Sequence, residues 1–207
     1  MKYIFCWLFV GLLLWGCEAE PQIDVLEISY ESLTFEEVVI AGAPELRAVL
    51  VFSFLDGNGK IGARDGADSE SRIFYVWEGK KENDADFETL EIEVDIFDDD
   101  GERIGTELIP YEGSTAIPYS TVMDKDAANN KTLKGKIEIA LMTPQSPVNV
   151  PDIARIGFLI KDRDGKPSIT KGTLRNLNDE PPPPPTFTPE IPVIRLPNGG
   201  ISFENPQ

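Results

Sequence analysis

The chain has 207 residues, with 19 Lys and Arg against 36 Asp and Glu, a formal net charge of −17, and no histidine. That acidity argues against nucleic acid as a partner, because phosphate binding depends on Lys and Arg displacing condensed counterions. The missing imidazole excludes a Ser-His-Asp hydrolase, a zinc hydrolase with His ligands and a haem protein with a proximal His, and leaves carboxylate chemistry, lysine chemistry or no catalysis.

Lys2 gives the amino terminus a short basic start, and Ile4 to Leu14 follow as an apolar run. A bilayer span needs about 20 apolar residues, so this shorter run reads as an export-signal helix that is removed. Leu14-Trp15-Gly16-Cys17 resembles the lipobox of bacterial lipoproteins, with Trp15 bulkier than the residue usual there. The resemblance implies that residues 1–16 are cleaved and that Cys17 becomes the first mature residue, carrying diacylglycerol on its sulfur. Residues 17–22 are then anchor and tether, and Glu18, where inner-membrane retention uses Asp, implies the outer membrane as destination. The early acidic pair Glu18 and Glu20 also resembles surface-export signals of Bacteroidota lipoproteins. Cys6 leaves with the signal and Cys17 is spent on lipid, so no thiol remains for a disulfide, a metal or nucleophilic attack.

From Val25 onward apolar residues alternate with polar ones between turn residues, which predicts strands. Ala48, Leu50, Phe52 and Phe54 share one face of a largely buried strand. Leu133, Gly135, Ile137, Ile139 and Leu141 form a dry face opposite Lys134, Lys136 and Glu138, and Ala154, Ile156, Phe158 and Ile160 repeat the pattern. Further strands are expected over 25–30, 34–40, 72–77, 87–97 and 103–109, and one helical turn within 124–134. Many short strands without crossover helices predict a mainly β protein. The expected fold is a single antiparallel immunoglobulin-like β-sandwich over residues 23–177, with a partly open barrel as the alternative.

Residues 178–207 read as a proline-rich tail. Pro181 to Pro185 have no amide donors and a fixed φ, which predicts a stiff polyproline II spacer. Beyond it, Val193, Ile194, Leu196, Ile201 and Phe203 suit a docking peptide, with a disordered tail as the alternative.

The stretch from Val51 to Gly62 (VFSFLDGNGKIG) resembles the FxDGDGDIG signature of a large set of uncharacterised Bacteroidota lipoproteins. Ile117-Pro118-Tyr119, Leu133 to Ile137 and Phe158 to Gly165 agree in kind and order, so the resemblance spans roughly residues 45 to 168. It implies an immunoglobulin-like sandwich on a lipid anchor and brings no activity with it.

The carboxylate-rich turns raise the question of Ca²⁺, which takes 6 to 8 oxygen ligands. Asp56, Asn58, Asp65, Asp68, Asp98 and Asp100 are the candidate ligands. Against them, Lys60 stands where a ligand belongs, and the EF-hand spacing meets Ile61 instead of Gly and Ala67 instead of Glu. Glycines 57, 59 and 62 suit a structural turn equally well. Alternation of loops in an antiparallel sandwich predicts that the Asp56–Glu70 loop shares an end with the Asp98–Gly101 turn, while the Asp162/Asp164 turn lies at the other. Phe74, Tyr75, Trp77 and Tyr119 could form a sugar-stacking platform or simply core.

No catalytic residues and no cofactor other than this Ca²⁺ are expected. The functional expectation is a non-catalytic, lipid-anchored envelope protein, an immunoglobulin-like binding or structural module whose partner, protein or glycan, is not specified by the sequence. A Ca²⁺-stabilised adhesion or glycan-binding module is the alternative. A carboxylate glycoside hydrolase, needing two carboxyl groups about 5 to 9.5 Å apart, is a third class with no identifiable pair.

Overall fold

A computed structural model describes residues 25–57, 59–62, 70–117, 133–172 and 183–205. The signal helix, Cys17, the tether to residue 22, Asn58, Asp65, Asp68, Ala67, Tyr119 and most of the helical turn expected at 124–134 lie outside the described residues.

Thirteen strands and no helix occur among the described residues. β1 (Leu26–Ile40) and β2 (Ala43–Asp56) form a long hairpin, and β8 (Leu133–Met142) pairs with the other side of β2. β10 (Ile169–Thr170) closes this first sheet on β1 through the one parallel pairing among the described residues, a departure from the purely antiparallel expectation. The second sheet centres on β3 (Arg72–Lys80) and β9 (Ile153–Lys161), paired in register from Arg72↔Lys161 to Lys80↔Ile153. β4 (Glu88–Thr89) and β7 (Glu112–Ala116) line the free side of β3. β5 (Glu91–Phe97) and β6 (Arg103–Pro110) form a separate two-stranded ribbon.

The strands expected at 25–30 and 34–40 are one element. A register shift between Tyr30 and Ser32 places an extra residue there, and the apolar phase changes without the strand ending. At its far end Ile40 pairs with Ala43 across a two-residue turn in which Ala41 (φ 51°) and Gly42 (φ 86°) are both left-handed. This conformation matches the twist of the flanking strands but costs a residue with a Cβ about 1 kcal/mol. Ala41→Asn is expected to stabilise the protein by several tenths of a kcal/mol to about 1 kcal/mol. A shift of the urea midpoint, with the slope unchanged, is the check.

The two sheets bury the faces predicted by alternation. Ala48, Leu50 and Phe52 from β2 meet Ala154, Ile156, Phe158 and Ile160 from β9, all of them inaccessible to solvent. Phe52 and Phe158 touch across the layers with ring centroids 5.1 Å apart. The result is a mainly β sandwich.

The boundary expected at residue 177 is corrected by the carboxyl-terminal segment. β11 (Thr186–Phe187) and β12 (Ile191–Arg195) both pair with β9, and β13 (Ile201–Phe203) pairs with β12. Ile191, Ile201 and Phe203 are buried. Phe203 stacks on Phe35 at 5.2 Å and meets Trp77 at 5.1 Å, so it joins the first sheet to the second. Proline does not prevent this pairing: Pro192 lacks a donor, but its carbonyl accepts the Glu204 amide at 3.2 Å. On the outer face Arg155 lies between the rings of Phe87 (4.0 Å) and Phe187 (3.8 Å) and pairs with Glu78 at 2.6 Å, fastening β11 to the sheet. Gly157 leaves room for that fastening, since a Cβ there would stand 2.9 Å from the Phe187 ring.

Candidate interaction site

Asp56 ends β2 with its side chain fully buried, and its Oδ2 accepts the Ile61 amide at 2.7 Å. The carboxylate thus closes its own loop, with Ile61 buried beneath it. Ser71 holds the returning chain by donating its hydroxyl to the Lys60 carbonyl at 3.0 Å.

The Asp162/Asp164 turn lies beside this same loop, opposite to the placement that loop alternation predicts. Arg163 donates through Nε to the Lys60 carbonyl (3.1 Å) and through Nη2 to the Gly59 carbonyl (2.9 Å), while Lys60 pairs with Asp164. Asp162 is buried and its Oδ1 accepts the amides of Asp164 (2.9 Å) and Lys166 (2.8 Å), shaping the turn from within. Two of the segments that carry the family resemblance, 51–62 and 158–165, are therefore in direct contact.

The Lys60 ammonium holds the Asp164 carboxyl below its ordinary value of 3.8, and a hydrogen bond from Arg195 (2.8 Å) does the same to Asp152. A carboxyl whose value is depressed by folding contributes stability above its unfolded value and loses it as pH falls through the folded one. Stability is therefore expected to hold down to about pH 4 and to decline below it. Urea midpoints measured in steps of pH check this, and Lys60→Met should remove part of the decline.

Asp98 and Asp100 sit elsewhere. Asp98 Oδ1 accepts the amides of Asp100 (3.0 Å) and Glu102 (2.8 Å), so it shapes the tip of the β5–β6 ribbon. The ribbon is rooted at Trp77, whereas the Asp56 loop adjoins the Arg72 end of β3 through Ser71 and Gly62. Of the carboxylates expected to pool with this turn at one end, Asp65 and Asp68 lie outside the described residues. Among the described residues no three Asp or Glu side chains are grouped to hold a metal.

The aromatic platform divides in the same way. Trp77 is fully buried, so it is core. Tyr75 lies half-buried on the same face, where Gly113 makes room for its ring. Phe74 turns outward beneath Lys161, whose Nζ stands 4.9 Å from the ring centroid.

Alternation alone does not reveal how the ribbon arises. β4 and β7 occupy the same edge of β3, so they are two halves of one strand, interrupted between Leu90 and Tyr111. At the break the Leu90 amide donates to the Trp77 carbonyl (2.8 Å), Trp77 to Tyr111 (3.0 Å), and Tyr111 to Leu90 (2.7 Å). Every backbone group at the fork is thereby used, and the chain leaves the sheet as a 91–110 excursion. Gly79 lets the root pack, since a Cβ there would lie 2.7 Å from Leu90 and 2.6 Å from Pro151. Burial at this root pushes the Tyr111 hydroxyl up to about 12.

The ribbon carries unusual side chains for an exposed element. Ile92, Val94 and Ile96 share one face with Ile109 and Glu107, and Glu91, Glu93 and Asp95 share the other with Leu108 and Thr106. Val94, Ile96 and Ile109 are each 37% exposed, and Leu108 is 49% exposed. Between residues 91 and 110 there are eight acidic residues and one cation, Arg103, which pairs with Asp95 at 2.5 Å. A two-stranded hairpin is marginal alone in water, and a third strand or a packed face is what ordinarily makes one stable. The sequence signal for the site was present in the alternation of 91–97, but it reads the same for a strand inside a sandwich.

Comparison of the chain with family models, with curated proteins and with solved structures finds no match.

Proposed function

We propose that this chain is a non-catalytic lipoprotein of the bacterial outer membrane, in which an immunoglobulin-like sandwich anchored through Cys17 presents the β5–β6 ribbon to a protein partner. The ribbon carries the reading: a sheet edge is interrupted to project a 20-residue hairpin whose aliphatic face stays open. Exposed apolar surface of this kind is a recurrent property of interaction sites. The lipobox resemblance supports the anchor. The absence of His from the whole sequence and of Cys after position 17 supports a binding role over a catalytic one.

The test is made in cells producing the full chain with the photoreactive residue p-benzoylphenylalanine in place of Val94. Irradiation is expected to give one discrete heavier species. The same residue in place of Ser53 on the sandwich should give none, and Cys17→Ala should remove the adduct by removing the anchor. Mass spectrometry of the membrane-extracted protein should find diacylglycerol on Cys17. An unprocessed amino terminus overturns the anchoring, and no adduct at Val94 overturns the presentation.

A further inference from the structure

Backbone bonding at the ribbon root determines which groups the ribbon leaves open. The Glu91 carbonyl accepts the Val148 amide at 2.9 Å from outside the ribbon, while the Leu90 carbonyl accepts from Tyr111 across it. Bonding alternates along an antiparallel pair, so Ile92, Val94 and Ile96 bond inward to β6, and Glu93 and Asp95 turn their amides and carbonyls outward. Among the described residues the outer edge of β5 thus offers an unpaired ladder that Val148 already begins at its base.

Side chains beside that edge set the chemistry of what can join it. A strand added there places its residues alternately beside Val94 and Ile96 on the apolar face and beside Glu91 and Glu93 on the acidic face. The complementary strand alternates apolar residues with Lys or Arg. Cross-strand pairs of opposite charge are favourable and like charges directly opposed are not. A second copy of the ribbon brings the same acidic excess against this edge and is disfavoured, as charged edges commonly are against self-pairing.

Resting on the presentation reading above, we propose that the outer edge of β5 binds, by strand addition, an extended segment of a basic protein in which aliphatic residues alternate with Lys or Arg. Main-chain hydrogen bonds supply affinity in this mode, and the alternating side chains supply selectivity.

The full chain in lipid nanodiscs is titrated with a fluorescent peptide of four Lys-Val repeats. Binding is expected. It should weaken at least tenfold with the Glu91→Lys/Glu93→Lys double variant and with Val94→Asp, at unchanged melting temperature. Raising salt from low to several times physiological strength should also weaken it, because the exposed charges are screened. A peptide of the same composition in Lys and Val blocks, and one methylated on alternate backbone amides, should bind at least tenfold more weakly. Equal binding of the block peptide overturns the inference in favour of plain charge attraction. Sedimentation showing a dimer that Val94→Asp dissociates overturns it in favour of a second copy. No peptide binding, with the Val94 adduct still formed in cells, overturns strand addition and leaves presentation standing; loss of both removes both.

Discussion

Ending the chain after Pro185 is expected to abolish cooperative folding. The deletion removes Ile191, Ile201 and Phe203 from the core and strips β11 and β12 from β9. Phe203 carries much of this effect, because its ring fills the space between Phe35 on β1 and Trp77 on β3. Phe203→Ala alone should cost about 3 to 5 kcal/mol, the range for emptying a buried aromatic site. Against a native stability of roughly 5 to 15 kcal/mol, that is a large fraction. The readout is direct: Trp7 and Trp15 precede residue 18, so a chain begun there has Trp77 as its sole tryptophan. Its emission should move to the red in the truncated chain, and the urea midpoint should fall in Phe203→Ala. A truncated chain melting as sharply and as high as the parent would return residues 186–205 to the status of an appendage.

The second large effect is expected at Asp56. Its buried carboxylate accepts the Ile61 amide, so Asp56→Ala leaves that donor without this partner at a site closed to water. Such a loss costs about 1 to 3 kcal/mol, more where the acceptor is charged. Asp56→Asn keeps an acceptor oxygen in place and should cost less. The same pair of variants separates loop closure from metal binding, since a cation bound only by the folded state raises its melting temperature. With loop closure, millimolar Ca²⁺ leaves the melting temperature of the parent and both variants unchanged. A Ca²⁺-dependent rise in the parent that Asp56→Ala abolishes would make Asp56 a ligand.

These expectations differ in how far they could be read from residues alone. Alternation at 48–54, 133–141 and 154–160 identified core faces correctly, because a strand half-buried in a sandwich has a side-chain period of two whatever its neighbours are. The same regularity failed at 87–109. Residues 91–97 alternate like a sandwich strand, yet they form a ribbon outside it, and counting them as sandwich strands misplaced the Asp162/Asp164 turn. Proline content misled at the carboxyl end, where Ile191, Ile201 and Phe203 are widely spaced among turn residues and show their common face only when β12 and β13 fold back together.

Composition and spacing by themselves determined that imidazole chemistry is closed to this chain, the β character of its body and the face of each long strand that is buried. These depend on side-chain identity and on a local period, both written in the chain. Tertiary structure alone decided that the tail is core, that Asp56 faces inward and that one sheet edge opens into a projecting ribbon. Each of those depends on which distant segment supplies the partner for a backbone group or a ring, and pairing between residues far apart in sequence leaves no periodic trace along it.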